Sequence, residues 1–221
     1  MAIACFNEAG TVATLIDRVL ASPWCAEVVV VDDGSTDGTA KVLADLDEPR
    51  VRVITHDHNR GKGAALRSAF AHVGAAYVIV QDADLEYDPA DYPVLLRPIL
   101  SGRAKVVYGS RFLGPHRAMY FWHSVGNKLL TLLTNVLYDT TLTDMETCYK
   151  VFTADLLPGL RLRSDRWGFD PEITAKLLKR GHRIYEIPIS YAGREFHEGK
   201  KITWKDGIAV FFTLLRYRVM D

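Results

Sequence analysis

The chain has 221 residues, with 27 Lys and Arg against 27 Asp and Glu, so its formal net charge is zero. A composition of 48% hydrophobic and 24% charged residues is typical of a folded protein and excludes an intrinsically disordered chain. Three scattered cysteines, Cys5, Cys25 and Cys148, exclude a disulfide framework and favour a reducing compartment, and the length predicts one domain.

The N-terminal half alternates predicted strands with predicted helices. Its continuous runs of apolar, β-branched residues are typical of buried strands in a parallel sheet. The alternation therefore predicts an α/β fold, with a mostly parallel sheet and flanking helices. The predicted strands are Ala2–Cys5, Glu27–Val31, Val51–Thr55, Tyr77–Gln81 and Lys105–Tyr108, with helices at about 9–21, 38–46, 62–74 and 90–100.

The C-terminal half has fewer predicted strands. It contains helical patterns at about 118–137, 171–180 and 204–218, and one strand at Arg183–Ile187. No apolar run reaches the ~18 residues that span a bilayer, and the N-terminus does not resemble a signal peptide. Apolar residues recur at helical spacing between basic residues in the last helix, which suits a helix on an anionic membrane surface. Packing of that stripe against the sheet is the alternative.

Polar residues follow every predicted strand of the N-terminal half. In parallel α/β sheets, ligands bind outside the carboxyl ends of the strands, so these residues form one candidate site. They are Asn7-Glu8, Asp32-Asp33-Gly34-Ser35, Asn59-Arg60-Gly61-Lys62-Gly63, Asp82-Ala83-Asp84-Leu85-Glu86 and Gly109-Ser110-Arg111.

Each motif has more than one interpretation when it is considered alone. Asp82 and Asp84 leave a buried strand and, with Glu86, could hold Mg²⁺ or Mn²⁺; a solvated turn is the alternative. The Asp32-Asp33 pair could accept hydrogen bonds from a base or ribose, or could form only a turn and helix cap. The loop at Lys62 lacks the GxxxxGK[ST] spacing, which argues against a nucleotide triphosphatase.

Together these motifs resemble a family 2 glycosyltransferase of the GT-A fold, in the branch of dolichol-phosphate and polyprenyl-phosphate sugar synthases. Two further segments, Thr143–Lys150 and Glu198–Ile202, extend the resemblance nearly to the C-terminus. The resemblance implies inverting, metal-dependent transfer of a hexose from a UDP- or GDP-sugar to a polyprenyl or dolichyl phosphate. It also implies a cytoplasmic protein at the inner face of the membrane, with no nucleic-acid partner.

The resemblance implies a role for each matching position. Asp144 falls where many family 2 enzymes carry their candidate base, but it could instead orient a cation or cap a helix. The chain departs from the family pattern at two places. It opens in the middle of the expected first strand, and its basic loop reads Glu198-Gly199-Lys200-Lys201 instead of the Ser-Lys form of many mannosyl transferases. The second departure puts the identity of the sugar in doubt. The implied donor residues are Asn7, Glu8, Asp32, Asp33, Lys62 and Asp82; the metal ligands Asp82, Asp84 and Glu86; the phosphate and acceptor residues Arg111, Arg117, Arg194, Lys200 and Lys201; and the catalytic residues Asp144 and Arg111.

The zero net charge conceals an uneven distribution. Residues 1–100 carry 8 basic and 15 acidic residues, a net charge of −7, and residues 101–221 carry 19 and 12, a net charge of +7. This division fits a nucleotide-sugar half at 1–110 and an acceptor and membrane-facing half at 111–221, although chance also explains it. The alternatives are a carbohydrate acceptor with Asp144 as base, a sugar-phosphate nucleotidyltransferase, and a non-catalytic binding module recruited to membranes.

Overall fold

The structure, a computed structural model, describes residues 1–194 and 204–220. The strands and helices alternate through the first half of the chain, as the sequence predicts. In chain order the elements are β1 (Ala2–Cys5), α1 (Val12–Ala21), β2 (Val28–Asp32), α2 (Thr39–Ala44), β3 (Val51–Thr55), α3 (Lys62–Phe70), β4 (Tyr77–Asp82), α4 (Tyr92–Leu100), β5 (Val106–Ser110), α5 (Phe121–Tyr138), β6 (Lys150–Thr153), α6 (Leu157–Leu160), α7 (Phe169–Lys179), β7 (Ile184–Pro188) and α8 (Trp204–Val219).

The seven strands form one sheet in the order β3-β2-β1-β4-β6-β5-β7. All neighbours are parallel except β6, which runs antiparallel to both β4 and β5. Every residue of β2 and β5 is buried, in keeping with the continuous apolar runs of the sequence. The predicted fold class, a mostly parallel sheet with flanking helices, is confirmed.

Strand β6 and the four-residue helix α6 are the elements that the sequence analysis missed, and β6 matters more because it lies inside the sheet. Strand β6 has four residues, and its first, Lys150, is a buried charged residue that no apolar pattern would include. Its ammonium bonds to Asp170 of α7 and to two backbone carbonyls, so the charge is satisfied inside the protein. Because β6 lies between β4 and β5, the two halves of the chain share one sheet.

The boundaries of several helices differ from the predicted ones by a few residues. Helix α5 begins at Phe121 instead of 118, and α7 begins at Phe169, two residues before the predicted 171. Pro171 lies within the first turn of α7, where a backbone N–H has no partner inside the helix and proline is tolerated.

Helices cover the sheet and also pack on one another. Helix α3 packs on β1 and β2, α4 packs on β5, and α8 contacts both α5 and α7. A small second core, formed by Leu142, Met145, Val210 and Leu214, joins α8 to the loop before β6. Among the described helices, none combines the length and the apolar character needed to cross a bilayer.

The order of the strands reverses at β1. The chain adds β2 and β3 on one side of β1 and β4 on the other side. Cys5 pairs in register with Asp32 of β2, and Ala4 pairs with Asp82 of β4. The carboxyl ends of these three strands therefore meet at one edge. Such a reversal of strand order is where open α/β sheets bind their ligands.

Candidate active site

The loops after β1 and β2 are joined by hydrogen bonds. Asn7 adopts a left-handed backbone conformation with φ 53°, which is costly for a residue other than glycine. Its side-chain Oδ1 accepts a hydrogen bond from the Thr36 N–H at 2.8 Å, and its own N–H donates to Ser35 Oγ at 2.9 Å. These bonds hold the strained turn in place beside the Asp32-Asp33 pair.

Asp33 and Asp32 have different surroundings. Both oxygens of Asp33 are engaged, because they accept from the N–H groups of Arg60 and Gly61 at 3.0 and 2.7 Å and contact His56. Asp33 therefore anchors the loop that leads into α3. In contrast, Asp32 Oδ2 is buried and has no hydrogen-bond partner in the part of the chain that the structure describes, while Asp32 Oδ1 accepts from the Ser35 N–H. A buried carboxylate oxygen is costly to leave unpaired, so Asp32 offers an acceptor to a ligand.

Lys62, the first residue of α3, forms a close ion pair with Asp82 at the end of β4. The ammonium lies 2.7 Å from Asp82 Oδ1 and 5.8 Å from the centre of the Trp167 ring. Burial disfavours both charges, but their attraction outweighs it, so the pKa of Lys62 is well above its usual range and the pKa of Asp82 is lowered. Both groups are therefore charged at neutral pH.

The guanidinium of Arg194 joins three carboxylates from two loops. It donates to Asp84 Oδ2 at 2.8 Å, to Glu86 Oε1 at 3.3 Å and to Glu8 Oε1 at 3.2 Å. Glu86 also accepts from the Tyr191 hydroxyl at 2.8 Å. Burial, followed by repulsion from Asp82 and Glu86, raises the pKa of Asp84 to about 7 despite Arg194. Negative charge therefore exceeds positive charge at this edge of the sheet.

The predicted metal ligands are not preassembled as one set. Asp82 pairs with Lys62, whereas Asp84 and Glu86 pair with Arg194. Within the described ranges, no group of three or more His, Cys, Asp or Glu residues is arranged to hold a metal ion. The chemistry of the group nevertheless fits a divalent cation. Its ligands are carboxylate oxygens, and their excess of negative charge is what a second cation would relieve.

Arg111 and Asp144 form a buried two-point ion pair beside the carboxylate cluster. Arg111 Nε lies 2.7 Å from Asp144 Oδ2, and Nη2 lies 2.8 Å from Oδ1. The Arg111 N–H and the Asn127 side chain also donate to the same carboxylate. Both oxygens of Asp144 are therefore committed, and the side chain is fully buried. Burial opposes the charge of Arg111, but Asp144 outweighs it and raises the pKa of Arg111 well above its usual range.

The loop before β6 contains two residues that the sequence analysis did not select. Glu146 Oε1 and Thr147 Oγ1 are both buried, and neither has a hydrogen-bond partner among the described residues. Burial, followed by repulsion from Asp170, raises the pKa of Glu146 to about 8, against the pull of Lys150 and Arg111. Their position in the Thr143–Lys150 motif could have indicated that both residues belong to the site. The sequence alone does not show which polar atoms lack a hydrogen-bond partner.

Three further residues were predicted to bind phosphate: Arg117, Lys200 and Lys201. Arg117 is exposed, and its N–H donates to the Tyr191 carbonyl at 3.0 Å. It lines a groove of about 450 Å³ that also includes Arg18 and Glu86. Lys200 and Lys201 lie outside the described residues.

Comparison with known proteins gives a family match and several relatives. Residues 1–158 match the family described as glycosyl transferase family 2. Glycosyltransferase AglJ of Haloferax volcanii is 30% identical over 214 residues, covering 96% of this chain and 69% of that protein. A UDP-N-acetylglucosamine--dolichyl-phosphate N-acetylglucosaminyltransferase of Methanococcus voltae is 26% identical over 239 residues, covering 98% of this chain and 94% of that protein.

Solved structures share the fold. Glucosyl-3-phosphoglycerate synthase from Mycobacterium tuberculosis, in complex with Mn²⁺, UDP and glucosyl-3-phosphoglycerate, superposes with a TM-score of 0.75 at 20% identity. The match covers 99% of this chain and 79% of that one. The similarity shows that the chain has the GT-A architecture that its motifs predict.

Proposed function

The chain belongs to glycosyl transferase family 2, and from that membership we propose that it transfers a hexose, with inversion, from a nucleotide diphosphate sugar to a polyprenyl or dolichyl phosphate. The observation that carries this proposal is the state of Asp144. Its oxygens are both committed to Arg111 and Asn127, so it orients a cation and is not available as a base. A hydroxyl acceptor needs a base, whereas a phosphate acceptor is already ionised near neutral pH and needs a cation to position it.

The donor nucleotide binds at the carboxyl ends of β1 and β2. Asp32 Oδ2, the buried acceptor without a partner, receives the ring N–H of uracil or guanine; cytosine has no such hydrogen. The strained turn at Asn7 and the Asp33 anchor hold the neighbouring loops, and Glu8 and Lys62 lie toward the diphosphate. The pocket therefore favours UDP- or GDP-sugars.

Asp82, Asp84 and Glu86 would hold Mg²⁺ or Mn²⁺ on the donor diphosphate. Bound there, the ion would neutralise the charge that develops on the leaving nucleotide diphosphate. Lys62 remains charged at the same edge and binds a phosphate oxygen. With Asp84 and Glu86 as ligands of that ion, the Arg194 guanidinium would be available to bind a phosphate oxygen.

The acceptor phosphate binds on the side of Arg111, with Arg117 as a further cation. Lys200 and Lys201 are assigned to the same phosphate by the family resemblance alone. An oxygen of this phosphate attacks the anomeric carbon as the bond from that carbon to the diphosphate breaks, and the nucleotide diphosphate leaves. Asp144 keeps the Arg111 guanidinium in one orientation throughout. The dolichyl-phosphate acceptor in the name of the Methanococcus voltae relative supports this choice of acceptor.

The membrane side of the molecule is formed by α5 and α8. Phe121 and Trp122 at the start of α5 are 69% and 77% exposed, and Phe212 on α8 is 62% exposed. Arg216 and Arg218 lie in the last turn of α8. Exposed aromatic residues beside basic residues suit a peripheral contact with an anionic bilayer, at its inner face.

The proposal is tested with radiolabelled nucleotide sugars and a polyprenyl phosphate, with and without Mn²⁺. We expect label to enter the organic phase with one uridine or guanosine donor, and only with the metal present. Label that appears only on a water-soluble sugar acceptor would establish the carbohydrate alternative. Donor binding without turnover on any acceptor would establish a binding module and contradict the proposal.

A further inference from the structure

Glu146 carries a buried carboxyl oxygen that no hydrogen bond among the described residues satisfies. It lies in the loop between α5 and β6, and its Oε1 is buried without a hydrogen-bond partner in residues 1–194 and 204–220. The adjacent Thr147 hydroxyl is in the same condition. Unpaired buried polar atoms on two consecutive residues indicate that a ligand would complete the hydrogen bonding of this loop.

The backbone on both sides of Glu146 is held firmly. Glu186 of β7 accepts hydrogen bonds from the N–H groups of Thr143 at 2.9 Å and Asp144 at 3.1 Å. The Lys150 ammonium donates to the carbonyls of Met145 and Thr147, the residues immediately before and after Glu146. The missing partner of Glu146 is therefore a feature of an anchored loop.

The charged groups around Glu146 belong to two ion pairs: Arg111 with Asp144 in the proposed acceptor site, and Lys150 with Asp170 in the protein interior. Arg111, Asp144, Lys150 and Asp170 all act on its carboxyl group. Asp144 is saturated by Arg111 and Asn127, and Lys150 and Asp170 bond to each other. Glu146 is the acid of this group that keeps an oxygen unpaired, two residues from the Asp144 that orients Arg111.

The protonation state of Glu146 sets the kind of ligand it can meet. Burial and repulsion from Asp170 raise its pKa to about 8, so the carboxyl group is mostly neutral at pH 7. A neutral carboxyl group donates one hydrogen bond, and the partner it needs is an oxygen that carries lone pairs. An ionised carboxylate at the same place would repel an anion.

We propose that Glu146 contacts the acceptor as a neutral carboxyl group, donating a hydrogen bond to an oxygen of the phosphate that Arg111 binds. The inference rests on the proposed function, because it requires a phosphate acceptor. No proton is transferred: Glu146 keeps its hydrogen, and the bond strengthens as the phosphate oxygen is positioned for attack. Glu146 is thus an acceptor-contacting residue, and Asp144 is a positioning residue for Arg111.

The test compares Glu146→Gln with Glu146→Ala in the full chain, using a polyprenyl phosphate and the labelled donor. An amide keeps a hydrogen-bond donor and cannot ionise. Glu146→Gln should therefore retain the wild-type KM for the lipid phosphate within a few-fold, and Glu146→Ala should raise it at least about tenfold. The KM for the donor should not change in either variant. Glu48→Gln, in the loop before the amino end of β3, is the matched control.

The pH profile separates this role from a structural one. For the wild type, the KM for the lipid phosphate should rise as the pH passes through about 8, because the hydrogen-bond donor is lost and a negative charge appears. In Glu146→Gln this rise should be absent. Thermal unfolding and nucleotide diphosphate binding, measured on the same preparations, should match the wild type.

Three results would overturn the inference. If Glu146→Gln loses as much activity toward the lipid phosphate as Glu146→Ala does, Glu146 accepts a proton instead of donating a hydrogen bond. Glu146→Ala with the wild-type KM would show that the acceptor makes no contact there. If the wild type itself transfers nothing to the lipid phosphate, the proposed function fails, and the inference fails with it.

Discussion

Arg111 holds Asp144 through two parallel hydrogen bonds of 2.7 and 2.8 Å, which join the loop after β5 to the loop before β6. The Asp144 side chain is fully buried, and the Arg111 side chain is 14% exposed. A buried acid that is paired in this way fixes the orientation of its partner. The arginine is therefore presented to the site in one orientation while the aspartate stays behind it.

The first prediction concerns Asp144→Asn. The amide cannot neutralise Arg111, so we expect a raised KM for the lipid phosphate and a loss of about 3 kcal/mol in the free energy of unfolding. If Asp144 were the base for a hydroxyl acceptor, kcat would fall by several orders of magnitude instead. Steady-state kinetics and urea denaturation distinguish the two roles. The double variant with Arg111→Ala should be little worse than either single variant, because the two residues act as a unit.

The second prediction is that Arg111→Ala impairs use of the lipid phosphate more than donor binding. A lost charge-assisted hydrogen bond is worth about 1.5–3 kcal/mol, or roughly ten- to a hundredfold in KM. Nucleotide diphosphate binding, measured by calorimetry, should stay near the wild-type value. Equal losses toward donor and acceptor would contradict the placement of Arg111 on the acceptor side. Arg111→Lys should recover only part of the loss, because lysine cannot make the two-point contact with Asp144.

The third prediction concerns Asp84→Ala. We expect transfer to be abolished, because the donor diphosphate loses a metal ligand, while the fold is retained. The pKa of Asp84 is raised to about 7 by burial and by Asp82 and Glu86, so removing this acid relieves repulsion. The melting temperature should therefore not fall by more than a few degrees. Asp17→Ala, exposed on α1, is the control, and near-normal turnover of Asp84→Ala would exclude its metal role.

The fourth prediction is that Arg194→Ala makes the protein more dependent on a divalent ion. Without the guanidinium, Glu8, Asp84 and Glu86 lose a shared cation and repel one another. We expect a lower melting temperature in metal-free buffer and a larger rise on addition of Mn²⁺ than in the wild type. Thermal scans with and without Mn²⁺ measure this directly. An equal Mn²⁺ shift in both proteins would show that Arg194 and the ion do not share these carboxylates.

The sequence was sufficient to predict the parallel strands of the sheet and the edge at which the candidate site lies. Buried parallel strands have continuous apolar runs, and the polar residues that follow them are recognisable for the same reason. The structure adds the position of β1 between β2 and β4 and the pairing of Ala4 with Asp82 and of Cys5 with Asp32. The residue types of the site were available before the structure.

The partners of those residues were not available from the sequence. Arg194 reaches Glu8 across 186 positions of the chain, a distance at which no local pattern applies. The saturation of Asp144 and the unpaired oxygen of Glu146 likewise depend on which loops meet in three dimensions. Strand β6 was missed because a buried lysine begins it, and the tertiary ion pair with Asp170 overrides the local pattern.

The fifth prediction concerns the apolar surface at the start of α5. Replacing Phe121 and Trp122 with serine removes two side chains that are 69% and 77% exposed, so the fold should be unaffected. Each aromatic side chain that enters the bilayer contributes about 1.5–3 kcal/mol. We therefore expect binding to vesicles that contain an anionic lipid to weaken by at least about tenfold, as measured by cosedimentation. Serine replacements of Val94 and Leu100, which are exposed to 45% and 47% on α4, provide the control. Equal binding by both double variants would show that α5 does not contact the membrane.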